Sequence, residues 1–446
     1  MKQIEITTSC GRLRGREEEE HLEYRGIRYA TAGRFEYPNL VTSWEGTYDA
    51  TEYGPCSYQR RSFEDDAECN RFYHKEFRDN MEFEYSEDSL FLNIWSPKDA
   101  ENCPVLMYIH GGSFTGGSGD EGHIDGTEFA KNGIIFVSFN YRLGPFGFCS
   151  HPDLTDDQGK CGNYGLYDQH MAIKWVKEHI QEFGGNPDLI TLMGQSAGAM
   201  SVDIHASTPL EKNWFSGIMM SSGAGLQRLL LKPYTPEKTR VFWDAVMRNA
   251  HVSTIEELKK VEPKTLFYAW DQACKDSKFS IPYTLPVYDG KLLTKNTFGK
   301  KDIPDTPCMI GVTTLDMMPI GLKVLTCKWA KISNRHSGHR CYTYLFARDL
   351  PGDDRGAWHS SDLLYFFSSY KRNWRPFEEV DYEISKQMSG ALCAFARKQN
   401  PDCDEIPAWG SGAKRPMVFC EHTGVAKWGN KKLFHNTFQK NVMTEK

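Results

Sequence analysis

The chain has 446 residues, of which 40% are hydrophobic and 25% are charged, and its formal net charge is −6. These values are typical of a large globular protein, and they give no electrostatic reason to expect nucleic acid or an anionic membrane as a partner. No apolar run approaches the roughly 18–20 residues that span a bilayer. Residues 1–8 alternate like a strand and lack the apolar core of a signal peptide, which favours a cytoplasmic protein.

Strand and helix patterns follow one another along the chain. Residues 1–50 are predicted as short strands, and residues 60–87, rich in Asp, Glu and Arg, as a surface excursion. We then predict strands at 90–95, 105–110, 133–139, 189–193, 308–312 and 342–346, and helices at 168–182, within 228–282 and at 376–398. This alternation predicts a single α/β domain over 1–446, with a large, mostly parallel sheet covered by helices on both faces.

The cysteines indicate the redox environment that the protein occupies. There are 13 of them, an odd number at scattered spacings from Cys10 to Cys420 and with no C-x-x-C motif. Without a secretion signal, free buried thiols are favoured over disulfides.

A serine lies between glycines at Gly194-Gln195-Ser196-Ala197-Gly198, directly after the strand predicted at 189–193. This pattern is typical of a nucleophile elbow, in which strained backbone leaves no room for a β-carbon two residues to either side. The alternative is a glycine-rich strand-to-helix turn with a solvated serine, since the pattern also arises by chance.

A second glycine-rich loop, His110-Gly111-Gly112-Ser113, follows the buried strand at 105–110. It matches the HGGG-type loop whose backbone N–H groups bind an oxyanion. We expect those of Gly112 and Ser113, with that of Ala197, to do so here. A phosphate-cradling loop is disfavoured because G-x-x-x-x-G-K-[ST] is absent and no G-x-G-x-x-G opens a predicted helix.

A serine nucleophile needs a histidine base and an acid that orients it. His359 lies in a late loop ahead of an apolar segment, and Asp316 ends an apolar strand. A solvated loop histidine and a solvated strand-end carboxylate are the alternatives. His336 and His339, near Cys341, resemble a partial metal site but lack a fourth ligand at zinc-like spacing, so we expect neither metal nor cofactor.

With these residues assembled, the chain resembles the type-B carboxylesterase family, which includes cholinesterases and bacterial para-nitrobenzyl-type esterases. The resemblance covers essentially the whole chain and rests on ordered blocks: Gly26–Ala30 (GIPYA in the family), Glu87–Ile94 (EDCLYLNV), Asn140–Phe148 (NYRLGxLGF), Gly162–Gln169 (GNxGLxDQ), Phe183–Pro187 (FGGDP), Gly194–Gly198 (GESAG), Gly311–Asp316 (GVxxxEG) and Gly356–Leu363 (GxxHxxDL).

The resemblance implies an α/β-hydrolase fold with helical excursions over the active site. Carried over by position, it makes Ser196 the nucleophile, His359 the base and Asp316 the acid. It also makes Gly112, Ser113 and Ala197 the oxyanion donors.

The chain departs from the family pattern at several positions. Asp316 is shorter than the usual glutamate and is followed by Met317 instead of glycine, and Ser89 replaces a cysteine, which leaves Cys56 without its expected partner. Gln195 replaces a glutamate, which weakens any preference for cationic esters. The excursion at about 317–341 is shortened, so we expect an active site that is open on that side.

The expected function is hydrolysis of small-molecule carboxylic esters through an acyl-enzyme. An amidase or thioesterase with the same triad and a non-catalytic cholinesterase-like binding protein are the alternatives. Phe114, Trp358, Phe366 and Phe367 are equally consistent with a pocket lining and with the core. The sequence leaves the oligomeric state open between a monomer and a small homo-oligomer.

Overall fold

A computed structural model describes residues 2–276, 278–279, 281–299, 302–410 and 413–426. Thirteen strands form the main sheet. They are β1 (Lys2–Thr8), β2 (Gly11–Glu17), β3 (His21–Arg28), β4 (Thr47–Asp49), β5 (Phe91–Pro97), β6 (Cys103–Ile109), β7 (Ile135–Phe139), β8 (Gly185–Gln195), β9 (Gly217–Ser221), β10 (Cys308–Thr313), β11 (Cys341–Phe346), β12 (Met417–Phe419) and β13 (Gly424–Val425).

The sheet runs in the order β1-β2-β3-β5-β7-β6-β8-β9-β10-β11-β12-β13, and β4 pairs with β2. From β7 to β12 every neighbouring pair is parallel. The pairs from β1 to β7 and the pair of β12 with β13 are antiparallel, and β4 pairs with β2 in parallel. Two small sheets pair Ala30–Thr31 with Asn39–Leu40 and Cys56–Ser57 with Tyr85–Ser86. The mostly parallel sheet predicted from the sequence is present.

Twelve α-helices are described. They are α1 (Asp66–Cys69), α2 (Arg71–Phe77), α3 (Thr127–Lys131), α4 (Gly144–Phe148), α5 (Tyr164–His179), α6 (Ala197–Ser207), α7 (Pro236–Asn249), α8 (Ile255–Leu258), α9 (Pro263–Lys275), α10 (Pro319–His336), α11 (Asp362–Phe366) and α12 (Glu379–Lys398). Short 3-10 turns and a π-helical turn at Leu226–Leu230 connect them. No described helix has the length and apolarity needed to cross a membrane.

Helices cover both faces of the sheet because the central strands are apolar on both sides. Along β6, Val105, Met107 and Ile109 join one core cluster, whereas Leu106 and Tyr108 join another. Side chains of α5 and α6 belong to the first cluster, and side chains of α3, α11 and α12 belong to the second. The carboxyl ends of the parallel strands therefore meet at one edge between two helical layers, where ligand sites of such sheets form.

Two helices begin at residues other than those predicted from the sequence. Helix α5 starts at Tyr164 instead of 168, after Asn163 in a left-handed conformation (φ 56°), and a 3-10 turn, Ile180–Phe183, continues it to the predicted glycines. Helix α12 starts at Glu379 instead of 376, behind a capping box formed by Glu378 and Asp381.

Two regions differ from their predictions more strongly. Residues 60–87 lie mostly at the surface, as predicted, but they contain α1 and α2, and Glu76, Phe77 and Arg78 are buried. Helix α10 fills the shortened segment after Asp316, with Leu322, Trp329 and Ala330 buried at helical spacing.

Candidate active site

Ser196 lies at the sharp turn between β8 and α6 at the carboxyl edge of the sheet. Its φ of 56° and ψ of −120° are far from helix or strand values, and such strain in a non-glycine residue is typical of functional sites. A β-carbon on Gly194 would overlap the backbone of Gly198, and one on Gly198 would overlap the carbonyl oxygen of Ile109. The flanking glycines therefore let the turn pack directly against the end of β6.

The loop after β6 lies against this turn. A β-carbon on Gly111 would sit 2.6 Å from Gln195 Oε1 and 3.2 Å from Ser196 Cβ. Gly112 and Ser113 both have positive φ, 107° and 58°, and the carbonyl of Gly112 accepts hydrogen bonds from the N–H groups of Thr115 and Gly116. The loop is thus a tight turn that lies against the side chains of Gln195 and Ser196.

The N–H groups predicted to bind an oxyanion are available. In the described part of the chain, those of Gly112 and Ser113 donate to no protein acceptor. Ala197 is the first residue of α6, so its N–H has no acceptor within the helix. Gly112 and Ser113 line the same cavity as Ser196, whereas Ala197 is buried at the start of the helix behind it.

His359 and Asp316 form a buried hydrogen-bonded pair. His359 Nδ1 lies 2.5 Å from Asp316 Oδ1, and the two residues are 8% and 3% exposed. The loops that carry them are joined one residue earlier, where the N–H of Leu315 donates to Ala357 and Leu315 forms a bridge with Trp358. The short aspartate side chain therefore spans the gap to the imidazole.

The surroundings of Asp316 favour its ionised form. Ser222 Oγ donates to Oδ2 at 2.6 Å, and the N–H of Met317 donates to Oδ1 at 2.9 Å. Burial alone would raise the pKa of the Asp316 carboxyl, but the hydrogen bond and charge of His359 and the bond from Ser222 outweigh burial and lower this pKa. The carboxylate accepts from Nδ1–H, which leaves Nε2 of His359 as the basic atom.

Gln195 is bonded to that basic atom. Its side-chain Nε2 lies 3.1 Å from His359 Nε2, and Gln195 is buried. Since an amide nitrogen can only donate, the Gln195 amide occupies the lone pair of Nε2 in this structure. Neither Ser196 Oγ nor any other described hydroxyl makes a hydrogen bond with His359 Nε2.

Two further residues near the Asp316–His359 pair, Ser222 and Asp362, were not predicted as part of the site. Ser222 follows β9 and carries no sequence signal for a role at Asp316. A second buried carboxylate, Asp362, accepts from Ser221 Oγ at 2.6 Å and Tyr344 OH at 2.8 Å. Burial, with the nearby charge of Asp316, raises the pKa of Asp362. The sequence offered one signal for Asp362, which is its position in the block Gly356–Leu363 that resembles the family pattern.

A cavity of about 410 Å³ contains Ser196 and His359. Much of its wall is polar and comes from residues 59–78, from the loop after β6 and from Glu121 and His123. Burial lowers the pKa of His110 and of His123 to about 4, so both line the cavity as neutral imidazoles at neutral pH. The cavity therefore offers hydrogen-bonding groups beside the serine.

Buried ion pairs explain why charged residues 60–87 form a wall. Arg78 Nε donates to Asp66 at 2.6 Å, and Arg61 and Arg78 both pair with Glu121 at 2.9 and 3.3 Å. Glu76 also forms a salt bridge with Arg375, which lies 299 positions later in the sequence. Its Oε1 is 2.8 Å from Arg375 Nη2, and both side chains are almost fully buried. The segment is thus fixed to the body of the protein by charges that are neutralised locally.

The four aromatic residues considered for the pocket belong to the core. Phe114, Phe366 and Phe367 are at most 1% exposed and Trp358 is 6% exposed, and none of them lines the cavity. Tyr73, Phe77 and Tyr108 are the aromatic residues of the wall. From the segment 317–340, which is described throughout, only Met317 lines the cavity.

Of the cysteines, only Cys69 lines the cavity, and neither histidine of the partial metal motif does. All thirteen thiols are free, and Ser57 Oγ lies 2.7 Å from Ser89 Oγ beside the unpaired Cys56. His336 ends α10 and His339 is exposed in the turn after it. Within the described ranges, no three His, Cys, Asp or Glu side chains are grouped so that they could hold a metal ion.

The chain matches the carboxylesterase family over residues 2–328 and 320–423. It is 33% identical over 315 residues to the bile salt-activated lipase of Mus musculus, a match that covers 66% of this chain and 47% of that protein. It is also 32% identical over 326 residues to the para-nitrobenzyl esterase of Bacillus subtilis, covering 69% and 62% of the two chains. The chain thus spans about half the length of the first of these relatives.

The fold is similar to that of a solved PNB esterase. The TM-score is 0.80 at 23% identity, and the alignment covers 97% of this chain and 99% of that one. This likeness, together with the sheet described above, confirms the α/β-hydrolase fold predicted from the sequence.

Proposed function

The chain belongs to the carboxylesterase family, and we propose that it hydrolyses small-molecule carboxylic esters through an acyl-enzyme on Ser196. One observation carries the proposal. The strained Ser196 turn, the unoccupied N–H groups after β6 and the Asp316–His359 pair meet at a single cavity.

In the first half of the reaction, Ser196 Oγ attacks the ester carbonyl carbon while His359 Nε2 accepts the hydroxyl proton. Asp316 holds the imidazole in the tautomer with hydrogen on Nδ1 and stabilises the imidazolium. The N–H groups of Gly112, Ser113 and Ala197 bind the oxyanion, and each contributes up to roughly 3–4 kcal/mol to lowering the barrier.

In the second half, the imidazolium of His359 gives its proton to the departing alcohol, and the acyl group remains on Ser196. Water then attacks the acyl-enzyme with His359 as base and releases the acid. Because Gln195 occupies Nε2 in this structure, its amide must move away before Ser196 can use that lone pair.

The proposed site is open on the side of the segment 317–340. Met317 is the one residue of this segment that lines the cavity, and α10, which begins two residues later, packs against β10 and β11. We therefore expect esters of bulky alcohols to be accepted. Equal or poorer turnover of bulky-alcohol esters, relative to ethyl esters of the same acid, would contradict this expectation.

We also propose a reducing compartment such as the cytoplasm. The thirteen free thiols support this assignment, since such a number of unpaired cysteines is unusual in an oxidising environment.

Rapid-mixing kinetics with para-nitrophenyl acetate test the activity. We expect a burst of para-nitrophenol followed by steady turnover, because para-nitrophenol is a good leaving group and the acetyl-enzyme then forms faster than it is hydrolysed. The matched variant Ser196→Ala should give neither phase. The turnover rates of matched amide and thioester analogues, compared with that of the ester, test the alternative amidase and thioesterase functions. A folded wild-type protein without ester turnover would refute the proposal.

A further inference from the structure

Exposed apolar side chains lie on the first turns of α10 and on the two residues before it, of which Met317 lines the cavity. Met317, Met318, Ile320 and Val324 are 70%, 40%, 77% and 59% exposed. These are four of the nine large hydrophobic side chains exposed in the described part of the chain, and they fall within one short segment. Such clustering is unusual on a soluble surface and marks an interaction site.

The exposed residues form one continuous stripe on α10. Ile320, Val324, Lys328, Lys331 and Arg335 are all exposed, and their spacings of three and four residues place them on one helix face. The opposite face is packed on the sheet through Leu322, Trp329 and Ala330. The stripe is therefore apolar at the end near the cavity and basic at the other end.

The charge of this segment is opposite to that of the whole chain. Residues 317–340 contain Lys323, Lys328, Lys331, Arg335 and Arg340 and no Asp or Glu, whereas the net charge of the chain is −6. Of the neighbouring carboxylates, Asp316 is buried against His359, and Asp305 accepts from Ser337 and Gly338 beyond the end of the helix. The exposed stripe is therefore locally cationic.

We propose that this surface, Met317–Val324 with the basic residues behind it, docks on an anionic lipid surface. The apolar end would enter the boundary between headgroups and acyl chains while the lysines and Arg335 pair with anionic headgroups. A second copy of the chain fits less well, because a two-fold contact through this face would oppose two basic stripes. The expectation that no anionic membrane is a partner was based on the net charge of the whole chain, −6. A net charge does not describe the charge of one local surface.

The position of Met317 connects the surface to the site. This residue is exposed, lines the cavity and donates its N–H to Asp316. An ester dissolved in the lipid would therefore meet the cavity at the edge of the docked surface. This delivery step rests on the proposed esterase function, whereas lipid docking itself does not.

Vesicle co-sedimentation tests the docking independently of catalysis. The Ser196→Ala protein is mixed with phosphatidylcholine vesicles with or without phosphatidylglycerol. We expect binding to the anionic vesicles, little binding to the neutral ones, and weaker binding at high salt. The added double substitution Lys328→Glu/Lys331→Glu should reduce partitioning by at least about 25-fold, at about fivefold per lost cation.

The double substitution Ile320→Ser/Val324→Ser should reduce partitioning by about tenfold or more. The matched control is Val241→Ser on α7, because Val241 is also an exposed aliphatic residue (53%) and lies outside the stripe. This control should bind like the parent protein. Circular dichroism verifies that all variants are folded. We expect them to fold because each of the added substitutions replaces an exposed side chain.

Three outcomes would overturn the proposal: no vesicle binding, equal binding to both vesicle types, or a dimer in sedimentation velocity that Ile320→Ser/Val324→Ser dissociates. Turnover of soluble para-nitrophenyl acetate by the wild-type protein separates the two proposals. Ester turnover without vesicle binding refutes the docking alone, and vesicle binding without turnover refutes the esterase function alone.

Discussion

Around Ser196 the decisive contacts join backbone to backbone, whereas around His359 they join side chain to side chain. The serine turn packs against β6 so closely that Gly194 and Gly198 have no space for a β-carbon. The base is held by Asp316 and Gln195, and Asp316 in turn by Ser222. Backbone packing tolerates almost no substitution, whereas a side-chain network can be altered one bond at a time.

This difference corresponds to where the chain departs from the pattern of its family. The serine turn retains both glycines. Of the departures, Asp316 is the acid, Gln195 is bonded to the base and Met317 is bonded to the acid, whereas Ser89 lies against Ser57. We infer that the backbone packing around Ser196 determines whether the site forms. The side-chain contacts of His359 and Asp316 determine the reaction rate and its pH dependence.

Substitution of Gly198 by Ala should have the largest effect. Its β-carbon would overlap the Ile109 carbonyl, and relieving a backbone overlap in a close-packed core should cost about 3 kcal/mol, at the upper end of the usual range for overpacking. We expect a large fall in soluble yield and in the thermal midpoint. Gly424→Ala is the matched control because its β-carbon would have open space. A stable, fully active Gly198→Ala protein would show that the turn at Ser196 does not depend on this backbone packing.

Asp316→Asn should leave the fold intact and reduce kcat by about 10⁴-fold, because an amide favours the wrong imidazole tautomer. The measurement is steady-state hydrolysis of para-nitrophenyl acetate, with circular dichroism as the control for folding. Asp316→Glu restores the usual residue of the family and should retain much more activity than Asn. A loss of less than tenfold in Asp316→Asn would place the orienting acid elsewhere.

Ser222→Ala removes one donor from Asp316 and should reduce kcat/KM by about tenfold, since a hydrogen bond to a charged group contributes about 1.5–3 kcal/mol. Ser216→Ala is the matched control, because Ser216 directly precedes β9 and its hydroxyl donates only to the backbone carbonyl of Ile190 in β8. Equal effects of the two substitutions would mean that Ser222 acts through stability and not through Asp316.

Gln195→Glu should change the pH dependence more than the maximal rate. A carboxylate about 3 Å from His359 stabilises the imidazolium, so the base loses its proton at higher pH. The acid limb of kcat/KM should therefore move up by about one pH unit. Gln195→Met keeps the size without charge and should not move the limb upward. A downward shift in Gln195→Glu would contradict the placement of this residue at Nε2.

The features predicted from the sequence are those with a local backbone requirement. Gly194, Gly198 and the loop at Gly112 are recognisable because close approach or positive φ restricts them to glycine or strained residues. The central strands are recognisable because they are apolar on both faces. These patterns depend on neighbouring positions, so one sequence suffices to recognise them.

The features that were missed depend on contacts between distant positions. Arg78 and Glu121 are 43 positions apart and pair inside the protein, but in the sequence they are indistinguishable from solvated charges. Ser222 reaches Asp316 across 94 positions. Helix α10 was not predicted because few of its residues are apolar and buried, and the basic residues between them make the segment polar overall.

Active-site labelling with a fluorophosphonate tests the central claim most directly, since it requires the serine turn and the base to work together. We predict one adduct per chain by intact mass, located on the peptide that contains Ser196, with labelling greatly slowed in Asp316→Asn. A folded wild-type protein that stays unlabelled, or that carries the adduct on another residue, would contradict the account.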